Sequence, residues 1–193
     1  FLPGEIVTSQ LIAKLLKSAG ASSVITVDIH SNIAMNYFEI PIKNTSAVPK
    51  LALFFKKKRL RMPLIVAPDL FWSDKAREFA QILDAEHMAL NKQRNRKTGK
   101  LKIIQKKKMD LSGRDVILVD DMISTGTSMM KAAQYVKSQN CARIFAACTH
   151  ALLVDGAEEK LRTAGIVAIT SANTISHRTN EIDVSDILSR YLK

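Results

Sequence analysis

The chain has 193 residues, of which 47% are hydrophobic, so it can bury a sizeable core and form more than one compact unit. Its 29 lysine and arginine residues against 18 acidic residues give a formal net charge of +11, which favours polyanionic ligands such as nucleotides and sugar phosphates. No apolar run is long enough to cross a bilayer and no signal-peptide pattern opens the chain, which argues against a membrane or secreted protein.

Two further features of the composition narrow the class of protein. The basic runs contain no interleaved aromatic residues, so a nucleic-acid surface is the weaker interpretation of the charge. Cys141 and Cys148 are too few for a zinc site and fit reduced, buried thiols. We therefore expect a cytoplasmic protein without nucleic-acid or membrane partners.

The first part of the chain predicts a helix, a strand and a turn in that order. Apolar residues at helical spacing from Glu5 to Ala19 predict a helix that Gly20 ends. The segment V-I-T-V-D-I-H, from Val24 to His30, predicts a buried strand that ends in an acid and a histidine. A short amphipathic turn follows from Ile33 to Phe38.

The polar stretch Lys43 to Ser46 is typical of a domain linker, which predicts a first unit over residues 1–43 and a second over residues 44–193. In the second unit strands alternate with helices, which predicts parallel crossover connections and an α/β fold. The expected architecture is a doubly wound, mostly parallel sheet flanked by helices. Strands are predicted at 64–69, 87–90, 116–119, 143–149 and 167–170, and helices at 47–57, 73–83, 128–137, 156–164 and from Ser185.

The segment V-I-L-V-D-D-M-I-S-T-G-T-S, from Val116 to Ser128, carries the most chemical information in the chain. Four apolar residues predict a buried strand, Asp120 and Asp121 follow at its carboxyl end, and a helix is predicted to start near Met129. Consecutive backbone N–H groups at such a helix start bind phosphate well. The paired acids suit sugar hydroxyls or a phosphate-bound Mg²⁺, although two acids after a strand could also be an ordinary helix N-cap. The residues of the predicted phosphate loop are Ser124, Thr125, Gly126, Thr127 and Ser128.

Three predicted strands end in residues that bind metals or sugars, namely His30, Asp69 and the pair Asp120 and Asp121. Ligands of doubly wound sheets gather at the carboxyl ends of strands, so one crevice is expected to collect these side chains. The alternatives are a satisfied, half-buried histidine at His30 and a turn acid after Pro68 at Asp69.

Several segments resemble, in chain order, those of the ribose-phosphate diphosphokinase family, in an archaeal-like form. They are G-E-x-x-x-x-x-x-I-A from Gly4, the segment ending in D-I-H, then A-P-D, N-K-Q-R, the phosphate loop, A-C-T-H-A-L-L and S-A-N-T-I. The resemblance runs from about Pro3 to Lys193 and implies a type I phosphoribosyltransferase-like fold. It also implies transfer of diphosphate from ATP to C1 of ribose 5-phosphate, which gives phosphoribosyl diphosphate and AMP. Homo-oligomers and Mg²⁺ as cofactor are expected from the same resemblance.

The resemblance implies a role for each candidate residue. Asp120, Asp121 and the loop residues 124–128 would bind ribose 5-phosphate, and His30 and Asp69 would share a metal site. Lys92 and Arg94 would belong to a mobile catalytic loop that closes over the transferring diphosphate. Since Thr98-Gly99 is a turn signal, a solvated hairpin tip is the alternative for this basic segment.

Two positions depart from the family pattern. Leu70-Phe71-Trp72 follows Asp69 where the family has Asp-x-Gly, so bulky side chains stand where backbone is expected to approach phosphate. These aromatic residues could pack at an interface or obstruct the site. Thr127 replaces the second glycine of the usual Ser-Thr-Gly-Gly-Thr loop, which alters backbone freedom.

The start of the chain leaves the activity of these 193 residues open. In the resembled family a further half-domain precedes the first helix and contacts ATP, so residues 1–43 would be a remnant of that domain and the chain alone would be inactive. A non-catalytic homologue that binds ribose phosphates is the alternative. A nucleobase phosphoribosyltransferase fits less well, because no segment that could cover a base is apparent.

Overall fold

The structure, a computed structural model, describes residues 7–94, 101–103 and 110–192. The chain divides into two compact units. The larger unit is Ala47–Val184, and the smaller unit combines the residues up to Ser46 with those from Ser185 onward. This division lies three residues after the predicted boundary at Lys43 and assigns the end of the chain to the smaller unit.

The smaller unit contains helix α1 (Thr8–Ser18), strand β1 (Val24–Val27), a 3-10 helix (Asn32–Tyr37), strand β2 (Ile42–Thr45) and a short C-terminal helix (Ser185–Ser189). Strands β1 and β2 pair in parallel, with Val24 opposite Ile42. The stretch predicted to be a linker from Lys43 is therefore mostly strand, which corrects that prediction. Its polar residues are accommodated because the Thr26 hydroxyl donates to Asn44 Oδ1 at 3.0 Å across the pair.

The larger unit is built around a six-stranded sheet in which every neighbouring pair is parallel, with the order β10-β9-β8-β7-β3-β4. Its elements in chain order are α2 (Val48–Lys56), β3 (Leu64–Ala67), α3 (Ser73–Leu83), β4 (Glu86–Ala89), β5 (Lys92–Arg94), β6 (Leu101–Ile103), β7 (Asp115–Ile123), α4 (Thr127–Lys137), β8 (Arg143–Ala151), α5 (Ala157–Thr163), β9 (Ile166–Ala172) and β10 (Asn180–Ile182). The predicted doubly wound α/β class is confirmed.

Helices cover both faces of this sheet, which explains why its central strands are apolar throughout. On one face Leu118 and Cys148 pack in the same buried cluster as Met129 of α4 and Leu161 of α5. On the other face the Phe55 ring of α2 lies 5.9 Å from that of Phe145 and 6.0 Å from that of Phe79, measured between ring centroids. The alternation along β7 therefore sends Val116 and Leu118 to the α4 and α5 face, where Ile123 also packs.

Three elements differ from the predictions. Strand β7 continues beyond its apolar run to Ile123, because β8 pairs with it as far as Ala151. Lys92 and Arg94 lie in β5, which forms an antiparallel hairpin with β6. Strand β10 was not predicted, because its three residues, Asn180–Ile182, contain little apolar character.

The amino end of the sheet is fixed by an ion pair between the buried Asp115 and the half-exposed Arg143. Asp115 is completely buried and accepts hydrogen bonds from Arg143 at 2.9 and 2.6 Å and from the backbone N–H of Arg61 at 2.7 Å. Burial by itself would raise the pKa of Asp115, but the hydrogen bonds from Arg143 and Arg61 outweigh it and leave this pKa below its ordinary value. The pair therefore connects β7 and β8 at the end opposite the predicted crevice.

Candidate functional site

The loop between β7 and α4 has the backbone that its sequence predicts. Gly126 adopts a left-handed conformation with φ of +74° directly before the first residue of α4. A Cβ atom at this position would lie 3.3 Å from the Cβ of Ala157 and 3.3 Å from the Cγ of Leu161. Both the conformation and the close approach of α5 therefore require glycine here.

Thr127 keeps the loop intact although it replaces a glycine of the family pattern. It is the first residue of α4 and is not among the residues with positive φ, so no glycine is needed at this position. Its hydroxyl lies 3.1 Å from the hydroxyl of Thr125, and both residues are exposed. The first N–H groups of a helix have no carbonyl partner within that helix, so this loop presents backbone donors and hydroxyls together.

The paired acids lie inside β7, immediately before this loop. Asp120 Oδ1 accepts from the Asp121 N–H at 3.0 Å, and Asp121 Oδ1 accepts from the Met122 N–H at 2.6 Å. Asp121 is only 2% exposed, whereas Asp120 is half-buried. Since Gly126 is the N-cap of α4, neither acid is an ordinary helix cap, and that alternative is wrong. Two carboxylates thus stand beside a loop that is suited to phosphate.

Asp69 lies two residues after β3, the strand next to β7, and so belongs to the same edge of the sheet. Its Oδ1 accepts from the Phe71 N–H at 3.0 Å, so the predicted turn acid is what the structure shows. Trp72 is 5% exposed and packs inside the unit, so the interface interpretation does not apply to it. Phe71 is 65% exposed and Leu70 is 59% exposed.

The predicted metal site of His30 and Asp69 remains a prediction. His30 is exposed and belongs to the smaller unit, whereas Asp69 belongs to the larger one. Within residues 7–94, 101–103 and 110–192, no three side chains of histidine, cysteine, aspartate or glutamate come together to hold a metal ion.

For the predicted catalytic residues Lys92 and Arg94, the structure describes the backbone pairing. Lys92 pairs with Ile103 and Arg94 with Leu101 in the hairpin that follows β4. The segment predicted to form the tip of this hairpin, with Thr98 and Gly99, lies outside the described residues. The roles of the two cations therefore stay predictions.

The sequence analysis did not single out the polar segment that follows β9. Asn173 binds Asp183 Oδ1 at 2.9 Å and the Val184 N–H at 3.0 Å through its amide, and Asn180 Nδ2 donates to the Ile175 carbonyl at 2.8 Å. These bonds join residues 173–180 to one another and to the residues that follow β10. The motif S-A-N-T-I was the available signal, because it places two polar residues, Asn173 and Thr174, directly after an apolar strand.

The two cysteines take no part in this arrangement. Both thiols are free, and burial raises the pKa of the Cys148 thiol, the more buried of the two.

In the part of the chain that the structure describes, no helix has the length and apolar character that crossing a bilayer requires.

Comparisons with known proteins agree with this architecture. A family model described as phosphoribosyl synthetase-associated domain matches residues 63–190. The ribose-phosphate pyrophosphokinase of Sulfolobus acidocaldarius is 33% identical over 187 residues, which are 97% of this chain and 64% of that protein. The enzyme of the same name from Methanopyrus kandleri is 36% identical over 186 residues, which are 96% of this chain and 63% of that protein. The chain thus spans slightly less than two-thirds of the length of these relatives.

Two solved structures show the same fold. The phosphoribosylpyrophosphate synthetase of Mycobacterium smegmatis gives a TM-score of 0.80 at 22% identity, over 98% of this chain and 63% of that one. The adenine phosphoribosyl transferase of Trypanosoma brucei, solved with AMP, pyrophosphate and ribose-5-phosphate, gives a TM-score of 0.51 at 15% identity, over 75% and 76% of the two chains.

Proposed function

Since the chain belongs to the phosphoribosyl synthetase-associated domain family, we propose that it binds ribose 5-phosphate and serves the transfer of diphosphate from ATP to C1 of that sugar. The products would be phosphoribosyl diphosphate and AMP. The observation that carries this proposal is the loop at Gly126, with two carboxylates directly before it and a helix start directly after it. ATP and ribose 5-phosphate are used in the cytoplasm, so a cytoplasmic location fits this role.

The loop and the acids would contact different parts of the sugar phosphate. The N–H groups and hydroxyls from Thr125 to Ser128 are donors and suit the 5-phosphate, which only accepts hydrogen bonds at neutral pH. The carboxylates of Asp120 and Asp121 are acceptors and suit the ribose hydroxyls. Fixing both ends of the sugar would leave its C1 hydroxyl oriented for attack on the donor phosphate.

The donor set at this edge of the sheet suits Mg²⁺. Aspartate oxygens are hard ligands, and Mg²⁺ is commonly held by one or two carboxylates together with substrate phosphates and water. Asp69, together with Asp120 or Asp121, would supply one or two such ligands. The ion would neutralise charge on the transferring diphosphate.

The β5–β6 hairpin would supply positive charge to the same reaction. Lys92 and Arg94 follow β4, the strand beside β3, so the hairpin leaves the sheet near the carboxyl end at which Asp69 lies. Cations placed over a transferring phosphate stabilise the transition state and exclude water when the segment closes.

A non-catalytic relative that binds ribose phosphates is the second candidate. Leu70 and Phe71 are both more than half exposed directly after Asp69, where the family pattern has a glycine that permits close approach of phosphate. Formation of AMP by the full-length protein separates the two candidates. Turnover supports the synthase, and tight ribose 5-phosphate binding without turnover supports the non-catalytic relative.

Ribose 5-phosphate should bind the chain, and Asp121→Ala and Thr125→Val should each weaken its affinity by about tenfold or more, because each removes a group expected to hydrogen-bond a charged or hydroxylated ligand. Titration calorimetry would measure the dissociation constants. Asp74→Ala and Thr163→Val are matched controls on α3 and α5, and circular dichroism would show that each variant is folded. Unchanged affinity in both loop variants would contradict the proposal.

The protein should also self-associate, and we propose that Phe71 contributes to the contact. Leu70 and Phe71 form a small exposed apolar patch whose backbone is fixed by Asp69 and by the buried Trp72. Sedimentation velocity across a concentration range should show that Phe71→Ser weakens association. Met62→Ser, at a 64% exposed position before β3, is the control. A Phe71→Ser variant that associates like the wild type would remove this residue from the interface.

A further inference from the structure

The imidazole ring of His150 is oriented by a specific hydrogen bond. Its Nδ1 lies 2.8 Å from the hydroxyl of Thr174, and that hydroxyl donates to the Thr149 carbonyl at 2.9 Å. A threonine hydroxyl has one proton, and a carbonyl can only accept. The Thr174 proton is therefore used on Thr149, so Nδ1 of His150 must carry the proton that lies between it and Thr174. In the neutral ring, Nε2 then has the lone pair.

Thr174 is a firm anchor for this ring. It belongs to the segment 173–180, which is held at Asn173 and Asn180 by the amide bonds described above. Arg178 adds a further attachment, because its Nε donates to Glu158 Oε2 of α5 at 2.9 Å. A residue held from several directions can fix the orientation of its partner.

The orientation of the ring follows from the strand order. Strand β8 lies between β9 and β7, and Thr174 follows β9 by two residues. The two nitrogens of an imidazole point in roughly opposite directions. Since Nδ1 faces the β9 side, Nε2 faces the β7 side, where the paired acids and the phosphate loop lie.

His150 also lies beside the paired acids, on the neighbouring strand. Cys148 is the register partner of Asp120, and His150 is the partner of Met122, two residues further along both strands. Strand spacing places the Cα atoms of Asp120 and His150 on the order of 8 Å apart. A pentose fits between two side chains at that separation.

We infer that His150 is a substrate-contacting residue of the ribose-phosphate site, and that its Nε2 accepts a hydrogen bond from a ribose hydroxyl. This inference rests on the proposed function. A lone pair suits a hydroxyl and does not suit a phosphate oxygen, which has no proton to give at neutral pH. The residue thus contributes to selection of the sugar, and Thr174 positions it.

Two substitutions at His150 separate this role from a structural one. The amide nitrogen of His150→Asn can replace Nδ1 toward Thr174 but cannot reach the position of Nε2, whereas His150→Gln can reach that position. At about pH 8, His150→Asn should weaken ribose 5-phosphate binding about five- to tenfold. His150→Gln should restore much of the affinity, and Thr174→Val should show an intermediate loss because the ring is no longer held.

Inorganic phosphate is the second ligand in this experiment, measured by competition calorimetry on the same variants. Its affinity should be unchanged, because the contact is made with the sugar. An equal loss for phosphate and ribose 5-phosphate would overturn the inference in favour of an effect on the loop. Wild-type affinity for ribose 5-phosphate in His150→Asn would overturn it as well. Failure of the wild type to bind ribose 5-phosphate would overturn the proposed function and this inference together. If ribose 5-phosphate affinity falls in Asp121→Ala but not in His150→Asn, only the inference is overturned.

Discussion

Asp115→Ala should destabilise the protein by about 2–3 kcal/mol, because it removes the charge-assisted hydrogen bonds from the half-exposed Arg143 guanidinium and leaves the Arg61 N–H without an acceptor. That amount is a large fraction of the stability of a domain of this size. Urea unfolding followed by circular dichroism would measure the change. Asp74→Ala, which breaks an exposed pair with Arg77 on α3, is the matched control and should cost less than about 1 kcal/mol. A change at Asp115 no larger than that of the control would contradict the assignment.

The same ion pair predicts a dependence of stability on pH. The pKa of Asp115 is lower in the folded protein than in the unfolded chain, so the folded state binds fewer protons. The stabilisation is therefore present above the unfolded pKa, about 3.9, and is lost as the pH falls through the folded value. The stability difference between wild type and Asp115→Asn should accordingly shrink below about pH 4. A difference that stays constant between neutral and acidic pH would show that the charge of Asp115 is not involved.

Lys92→Ala and Arg94→Ala in the full-length protein should each lower kcat by about 100-fold or more, with little change in KM for ribose 5-phosphate. Removal of one preorganised charge that acts on a transition state typically has an effect of about that size. The affinity for ribose 5-phosphate depends instead on the loop after β7, which these residues do not form. Both are charged residues in a polar segment of the sequence, so stability should change by less than about 0.5 kcal/mol.

A coupled assay of AMP formation at fixed Mg²⁺ and ionic strength would measure these constants. Lys57→Ala, in the exposed basic run after α2, is the control and should leave both constants unchanged. A change in KM alone would indicate a docking surface, and wild-type values of both constants would indicate a solvated hairpin. Either result would remove Lys92 and Arg94 from the mechanism.

The parts of the fold that depend on local pattern were predictable from the sequence. The apolar run at Val116 predicted a buried central strand, and the helix from Ser73 to Leu83 has the predicted ends. The loop between this strand and the next helix was predicted as well. Its glycine is required, because the conformation of Gly126 and its closeness to α5 leave no room for another residue. These features depend on burial and backbone conformation, which a single segment of sequence expresses.

The parts that depend on pairing between distant segments were not predictable in the same way. The stretch from Lys43 to Thr45 was predicted to be part of a polar linker. It is a strand because it pairs with β1. Trp72 could have packed at an interface or obstructed the site, but it is buried within the larger unit. The bond between His150 and Thr174 joins residues 24 positions apart, so neither residue alone indicates it.

The central claim is that the loop from Ser124 to Ser128 binds the phosphate of ribose 5-phosphate. A crystal structure of the protein grown with that ligand tests it most directly. We expect the phosphate within about 3 Å of backbone N–H groups between Thr125 and Ser128, and the ribose hydroxyls at Asp120 and Asp121. Ribose 5-phosphate bound elsewhere, with this loop making no contact to it, would contradict the account.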